Sequence, residues 1–169
     1  MTLTMHSVSL PVFVKMLGNL SRWLAQAEAH AAAKKFDVSV LLNARLAPDM
    51  LPLLRQVQIA CDSAKFGIAR LAGDEAPKMD DTEASVADLQ ARIQRTLAYI
   101  QSVAAERVVG SETRDVQVPM RGRAALAFKG DAYLQHFVLP NFFFHLTTVY
   151  ALLRHNGVEL GKADFLGLS

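Results

Sequence analysis

Four stretches of this chain repeat apolar residues at alternating steps of three and four, and that period constrains the fold more than any other feature. A half-buried strand needs a period of two, so these stretches call for helices that each bury one side. In the first, Leu10, Phe13, Leu17, Leu20, Leu24, Ala27 and Ala31 form the stripe. Ser7 is its candidate cap, Pro11 is tolerated in the first turn, and Lys34 and Lys35 suit the end that the helix dipole makes negative. Residues 36–47 then predict a connection with one short helical turn. The second helix is expected to start near Pro48 or Pro52 and to stop at Gly73, burying Leu53, Val57, Ala60, Ala64, Ile68 and Leu71.

The acidic stretch 74–81, with Pro77, predicts a polar loop into a third helix that starts at Thr82 or Ser85. Its stripe is Val86, Leu89, Ile93, Leu97, Ile100 and Val103, which leaves Arg92, Gln94, Arg95 and Gln101 for solvent. Between Gly110 and Gly130 the period changes. Val116 and Val118, then Leu126 and Phe128, alternate with other residues across Arg121-Gly122-Arg123, which predicts an irregular hairpin or extended loop. Gly130-Asp131 opens a fourth helical region that Pro140 interrupts and Gly157 ends. Four amphipathic helices with one longer crossover between the third and fourth make an all-α four-helix bundle.

Length and charge narrow the function classes. The 169 residues, about half of them apolar, suffice for one core, so residues 1–169 are expected to form a single domain. The 18 basic and 16 acidic residues are spread along the chain, and only Arg121, Arg123 and Lys129 cluster, so nucleic acid is not an expected partner. The single cysteine, Cys61, excludes an internal disulfide, and the N-terminus has no basic start or small-residue cleavage site, which points to the cytoplasm. The most apolar window, residues 137–153, carries Pro140, Asn141 and His145 and is shorter than the roughly 20 residues of a membrane span. A buried helix, with no membrane partner, is the expectation.

Polar residues on apolar stripes mark candidate chemistry, because a buried polar side chain needs a partner. Around the fourth helix Asn141 lies about 40° from His145 and Thr148 about 60°, all on the core-facing side. On the second helix Gln56 and Asp49 lie about 60° and 40° to one side of the Leu53 line, whereas Gln58 and Asp62 point away. Asn141, His145, Thr148, Gln56 and Asp49 are therefore the candidate lining of a small-ligand pocket between these two helices. A structural hydrogen-bond network is the competing reading, since one imidazole among amides is a poor ligand set for zinc or nickel. Phe142, Phe143 and Phe144 surround too much of a helix for one core face, and predict a homodimer interface or a deep central helix.

Three blocks carry a family resemblance. They are Leu46-Ala-Pro-Asp-Met50 with Arg55-Gln-Val-Gln-Ile-Ala-Cys-Asp62 and Ala64-Lys65, then Pro140-Asn-Phe-Phe-Phe-His145, and a tail from Leu146 through Gly157 to Gly161-Lys-Ala-Asp-Phe-Leu-Gly167. Together they resemble an uncharacterised bacterial domain-of-unknown-function family in the DinB/YfiT-like superfamily, over the whole chain. The resemblance implies an up-and-down four-helix bundle, commonly dimeric. Many members of that superfamily bind a divalent metal through three histidines, and some resemble thiol-dependent transferases and isomerases.

This chain departs from that pattern at the ligands. Aligned on Leu152-Leu153-Arg154, His145 takes the place of the second histidine of a His-x-x-x-His pair and Asn141 that of the first. The second helix offers Gln56 and Gln58 but no histidine. The expectation is therefore a small-ligand-binding or structural bundle without a cofactor. The alternative is a divergent metal-dependent thiol transferase, isomerase or hydrolase that holds zinc, nickel or manganese weakly through His145. Elsewhere, Gly157-Val-Glu-Leu-Gly161-Lys162 follows a helix and lacks the spacing of a phosphate loop, and Cys61 reads as a small core residue.

Overall fold

The computed structural model describes residues 3–120 and 122–168. Arg121, at the expected hairpin turn, lies outside them. The first helix, α1, runs Leu10–Lys34 and ends with Lys35 in the left-handed region at φ 58°. Ser7 does not cap it: Ser7 and Thr4 instead bond each other's backbone N–H groups in the preceding turn. The expected short turn is α2, Ser39–Leu42. Helix α3 runs Leu53–Ala72 from Pro52 to Gly73, whose φ of 75° is the left-handed conformation that favours glycine at a helix end. Helix α4, Val86–Ser102, starts at a capping box in which Ser85 Oγ accepts from Asp88 N–H and Asp88 accepts from Ser85 N–H.

The crossover holds α5 (Ala105–Val108), a 3-10 turn at Ser111–Thr113, and an antiparallel hairpin of β1 (Asp115–Val118) and β2 (Leu126–Lys129). Val116 pairs with Phe128 and Val118 with Leu126, and both valines are buried. The short α6, Gly130–Tyr133, leads through a π-helical turn at Leu134–Val138 into α7, Leu139–His155. Pro140 thus does not break this helix. Proline has no N–H to offer the carbonyl one turn back and crowds it, and the wider i→i+5 turn just before it absorbs both effects. The resulting 130–155 rod is long and apolar enough to cross a membrane, longer than the sequence window suggested. Its apolar side is occupied, however: Tyr133, Leu134, Val138, Phe142, Leu146, Val149, Leu152 and Leu153 are all buried.

One core joins residues from Met5 to Leu160, and α3 lies centrally, packed on α7, α4 and α1. Phe13 of α1 meets Phe142 of α7 edge to face at 4.9 Å. The three phenylalanines separate by position: Phe142 is buried, Phe143 half-buried and Phe144 55% exposed. The tail forms α8, Lys162–Leu166, which docks on α1. There Asn19 donates to the Phe165 carbonyl at 2.8 Å, Trp23 donates to that of Asp164, and the Trp23 and Phe165 rings stack at 5.3 Å.

The central place of α3 overturns one expectation. A helix packed on three neighbours buries more than one stripe, so Gln58 and Lys65 are as buried as the leucines. Arg92 of α4, expected in solvent, is fully buried. Its guanidinium reaches Asp62 at 2.9 Å, Asp81 at 3.1 Å and Glu83 at 3.2 Å, and also donates to the Asp80 carbonyl. Glu83 accepts from Gln58 as well, and Lys65 pairs with Asp62 at 2.9 Å. The 80–83 loop is thereby held against α3 and α4 by charge.

Candidate functional site

His145 sits mid-way along α7 on the side that faces α3, and Gln56 on the first turns of α3 faces it. Their side chains meet, His145 Nδ1 to Gln56 Oε1, at 2.7 Å. The amide orientation follows from the other end of Gln56, whose Nε2 donates to the Leu51 carbonyl at 2.9 Å. An amide oxygen only accepts, so Nδ1 carries the proton and Nε2 bears the lone pair. Burial pushes the imidazole down to about 4, since a charged ring would lose its hydration there. His145 is 9% exposed, and Nε2 has no hydrogen-bond partner among the described residues. The pair is a neutral brace between two helices with one acceptor left over.

The other expected site residues do not join them. Asn141, one turn earlier, donates to the Phe137 carbonyl at 2.6 Å, a group near the π turn. Thr148 donates to the Phe144 carbonyl at 2.7 Å and borders a shallow apolar groove with Leu46 and Phe143. Asp49 is exposed in the turn ahead of α3 and does not face the interior. The expected helical phase fails for it because the helix begins only at Leu53, after Pro52.

Asn141 instead lines a cavity of about 270 Å³ between α3 and the 133–141 segment. Ile59, Ser63, Phe66 and Arg70 form the α3 wall, Tyr133 and Phe137 the opposite one, and Pro119 and Met120 close one side. Sequence reasoning missed this cavity, although its signal was present in two apolar-polar ladders: residues 59, 63, 66 and 70, and residues 133, 137 and 141. A larger cleft of about 620 Å³ lies under the 77–82 loop. Its walls include the exposed Lys78, Asp80, Arg95 and Ala98, so it is a surface trough.

A metal does not fit the His145 position. Zinc and nickel want several imidazole, thiolate or carboxylate donors. Here one imidazole faces an amide already committed at both ends, and among the described residues no group of three or more His, Cys, Asp or Glu is placed to hold an ion. Cys61, which could supply a thiolate, is fully buried, and burial pushes its thiol up to about 12.

Comparison with known proteins agrees with this fold. No curated protein matches the chain. A crystal structure of a DinB family member protein from Shewanella denitrificans is 43% identical, with a TM-score of 0.86, over 96% of this chain and 91% of that one. The family model for a domain of unknown function, DUF1993, matches residues 5–166. The chain therefore belongs to the DUF1993 family and is a DinB-like helical protein.

Proposed function

We propose that this protein is a homodimeric up-and-down four-helix bundle that binds a small molecule in the cavity between α3 and the 133–141 segment, without a metal. The observation that carries the reading is the composition of the cavity. It combines apolar and aromatic walls with a few polar groups, Asp62, Ser63, Arg70 and Asn141, which is the usual make-up of a small-molecule site. It also opens between the two helices that the His145–Gln56 pair ties together, so the walls are held in register. In this reading the pair is a positioning device one turn from the cavity. Second copies of the chain would meet at the exposed Leu46, Leu51 and Phe144, which are 52%, 43% and 55% exposed. Lys129, part of the one basic cluster, is neutralised by Asp115 at 2.7 Å, which leaves little to attract nucleic acid.

A thermal-shift screen of small polar and aromatic molecules tests this reading. Binders are expected to stabilise the unmodified chain by about 1 to 3 kcal/mol at saturating concentration and not to stabilise Ser63→Phe, which fills the cavity. Zinc, nickel and manganese, added to protein purified without a metal-affinity tag, should leave the midpoint unchanged. A screen without a binder that Ser63→Phe abolishes would overturn the ligand site. Stoichiometric metal by elemental analysis would favour the metal-dependent thiol transferase, isomerase or hydrolase instead.

A further inference from the structure

We infer that the ligand of this cavity is a small aromatic carboxylate, held by Arg70 at one end and among aromatic rings along its length; the inference rests on the ligand-site reading above. Arg70 is built as a receptor. Its guanidinium donates to Tyr133 Oη at 3.0 Å, and its Cζ lies 4.8 Å from the Phe66 ring centroid and 5.9 Å from that of Tyr133. Tyr133 Oη is fixed in turn, because it donates to the Phe66 carbonyl at 3.3 Å. These contacts orient the guanidinium and use one of its five N–H groups. Among the described residues no carboxylate lies within ion-pair distance of it, and Asp74, just past the end of α3, is taken by Arg107 at 2.6 Å. A positioned, partly buried guanidinium with spare donors matches a carboxylate, which accepts two parallel N–H bonds.

The one acid in the cavity does not cancel this charge. Asp62 lies eight residues before Arg70, about 12 Å along the helix, and its Oδ1 is shared by Lys65 and Arg92, both at 2.9 Å. The body of the ligand is set by Phe66, Tyr133 and Phe137, the last two stacked at 5.9 Å, together with Met120. A flat ring packs against such walls at low entropic cost. At the far end the Asn141 amide nitrogen gives one of its two N–H groups to the Phe137 carbonyl, which fixes the amide and leaves its oxygen as an acceptor for a phenol or ring N–H. The volume of about 270 Å³ limits the ligand to one or two rings.

Calorimetry on the full chain with three probes that share one ring tests the assignment: 4-hydroxyphenylacetate, its neutral amide, and the cationic amine tyramine. The acid should bind at least about tenfold more tightly than either of the others, and Arg70→Gln should remove that preference while leaving amide binding within about twofold. The probe series on the unmodified protein decides the matter even if Arg70→Gln folds poorly. Amide or tyramine binding as tightly as the acid would overturn the carboxylate assignment and leave the ligand cavity standing. Binding of none of the three, together with no cavity-dependent binder in the screen above, would overturn both.

Discussion

Arg92→Ala is expected to lose about 3 to 5 kcal/mol of stability, the largest effect of any single substitution considered for this protein. The reason is the charge left behind. Arg92 is fully buried and faces three carboxylates, Asp62, Asp81 and Glu83, within 3.2 Å. Without it, Glu83, itself only 8% exposed, keeps the Gln58 amide and a 3.3 Å contact to the exposed Arg95 as its main partners. A chain of this length shifts its midpoint by about 2 to 4 °C per kcal/mol, so the loss should read as about 10 °C in calorimetry and as a lower denaturant midpoint. Arg92→Lys should fall between, because an ammonium keeps the charge but cannot span Asp62 and Glu83 together. A variant within about 1 kcal/mol of the parent would show that the network adds nothing to stability.

Gly130→Ala should cost about 3 kcal/mol or more, for a purely steric reason. A Cβ at Gly130 would collide with the backbone carbonyl oxygen of Ser111 and come within 3.4 Å of Leu71 Cδ2. A flexible side chain could move aside; the backbone carbonyl of buried Ser111, at the start of the 3-10 turn, cannot do so without carrying the crossover with it. Because α6 leads into the π turn and the cavity wall, the same displacement should also weaken ligand binding. Gly18→Ala provides the contrast. That glycine lies inside α1 with nothing within 4 Å of its would-be Cβ, so alanine should raise stability by about 0.5 to 1 kcal/mol. Equal effects from the two substitutions in urea unfolding would contradict the close approach at Ser111.

These two sites also show what could be read in the sequence and what could not. Stripes of period 3.6 located α1, α3, α4 and α7 to within a few residues, since each stripe records a local need to bury one side. The same periodicity placed His145 opposite Gln56, which the structure joins at 2.7 Å. Local reasoning failed where burial depends on distant chain. Arg92 looked solvated because nothing near it in sequence announces that the 80–83 loop folds back over it with carboxylates. Gln58 looked exposed because one stripe was assigned to α3, whereas its central position buries a second side, Lys65 included. Asp49 looked helical only if the helix began before Pro52, and it does not. Pro140 marked a disturbance in the last helix correctly, but its form, a π turn instead of a break, depends on how α3 holds both halves in line.

The account turns on His145 being a neutral brace with its proton on Nδ1, and nitrogen-15 NMR of the imidazole across a pH titration measures that directly. Between pH 7 and about 5 the ring is expected to remain neutral in the Nδ1–H form, taking up a second proton only near 4, and added zinc should leave its signals in place. The sign for stability follows from the same shift. The unfolded chain, with its histidine near 6.5, binds a proton before the folded one does, so this group's contribution is full above about 6.5. It is lost as the pH falls from there to about 4, by about 2 kcal/mol after discounting the ring's remaining solvent contact. Protonation near pH 6.5 or an Nε2–H tautomer would contradict the brace, and a zinc-dependent shift of the ring nitrogens would favour the metal-ligand alternative for His145.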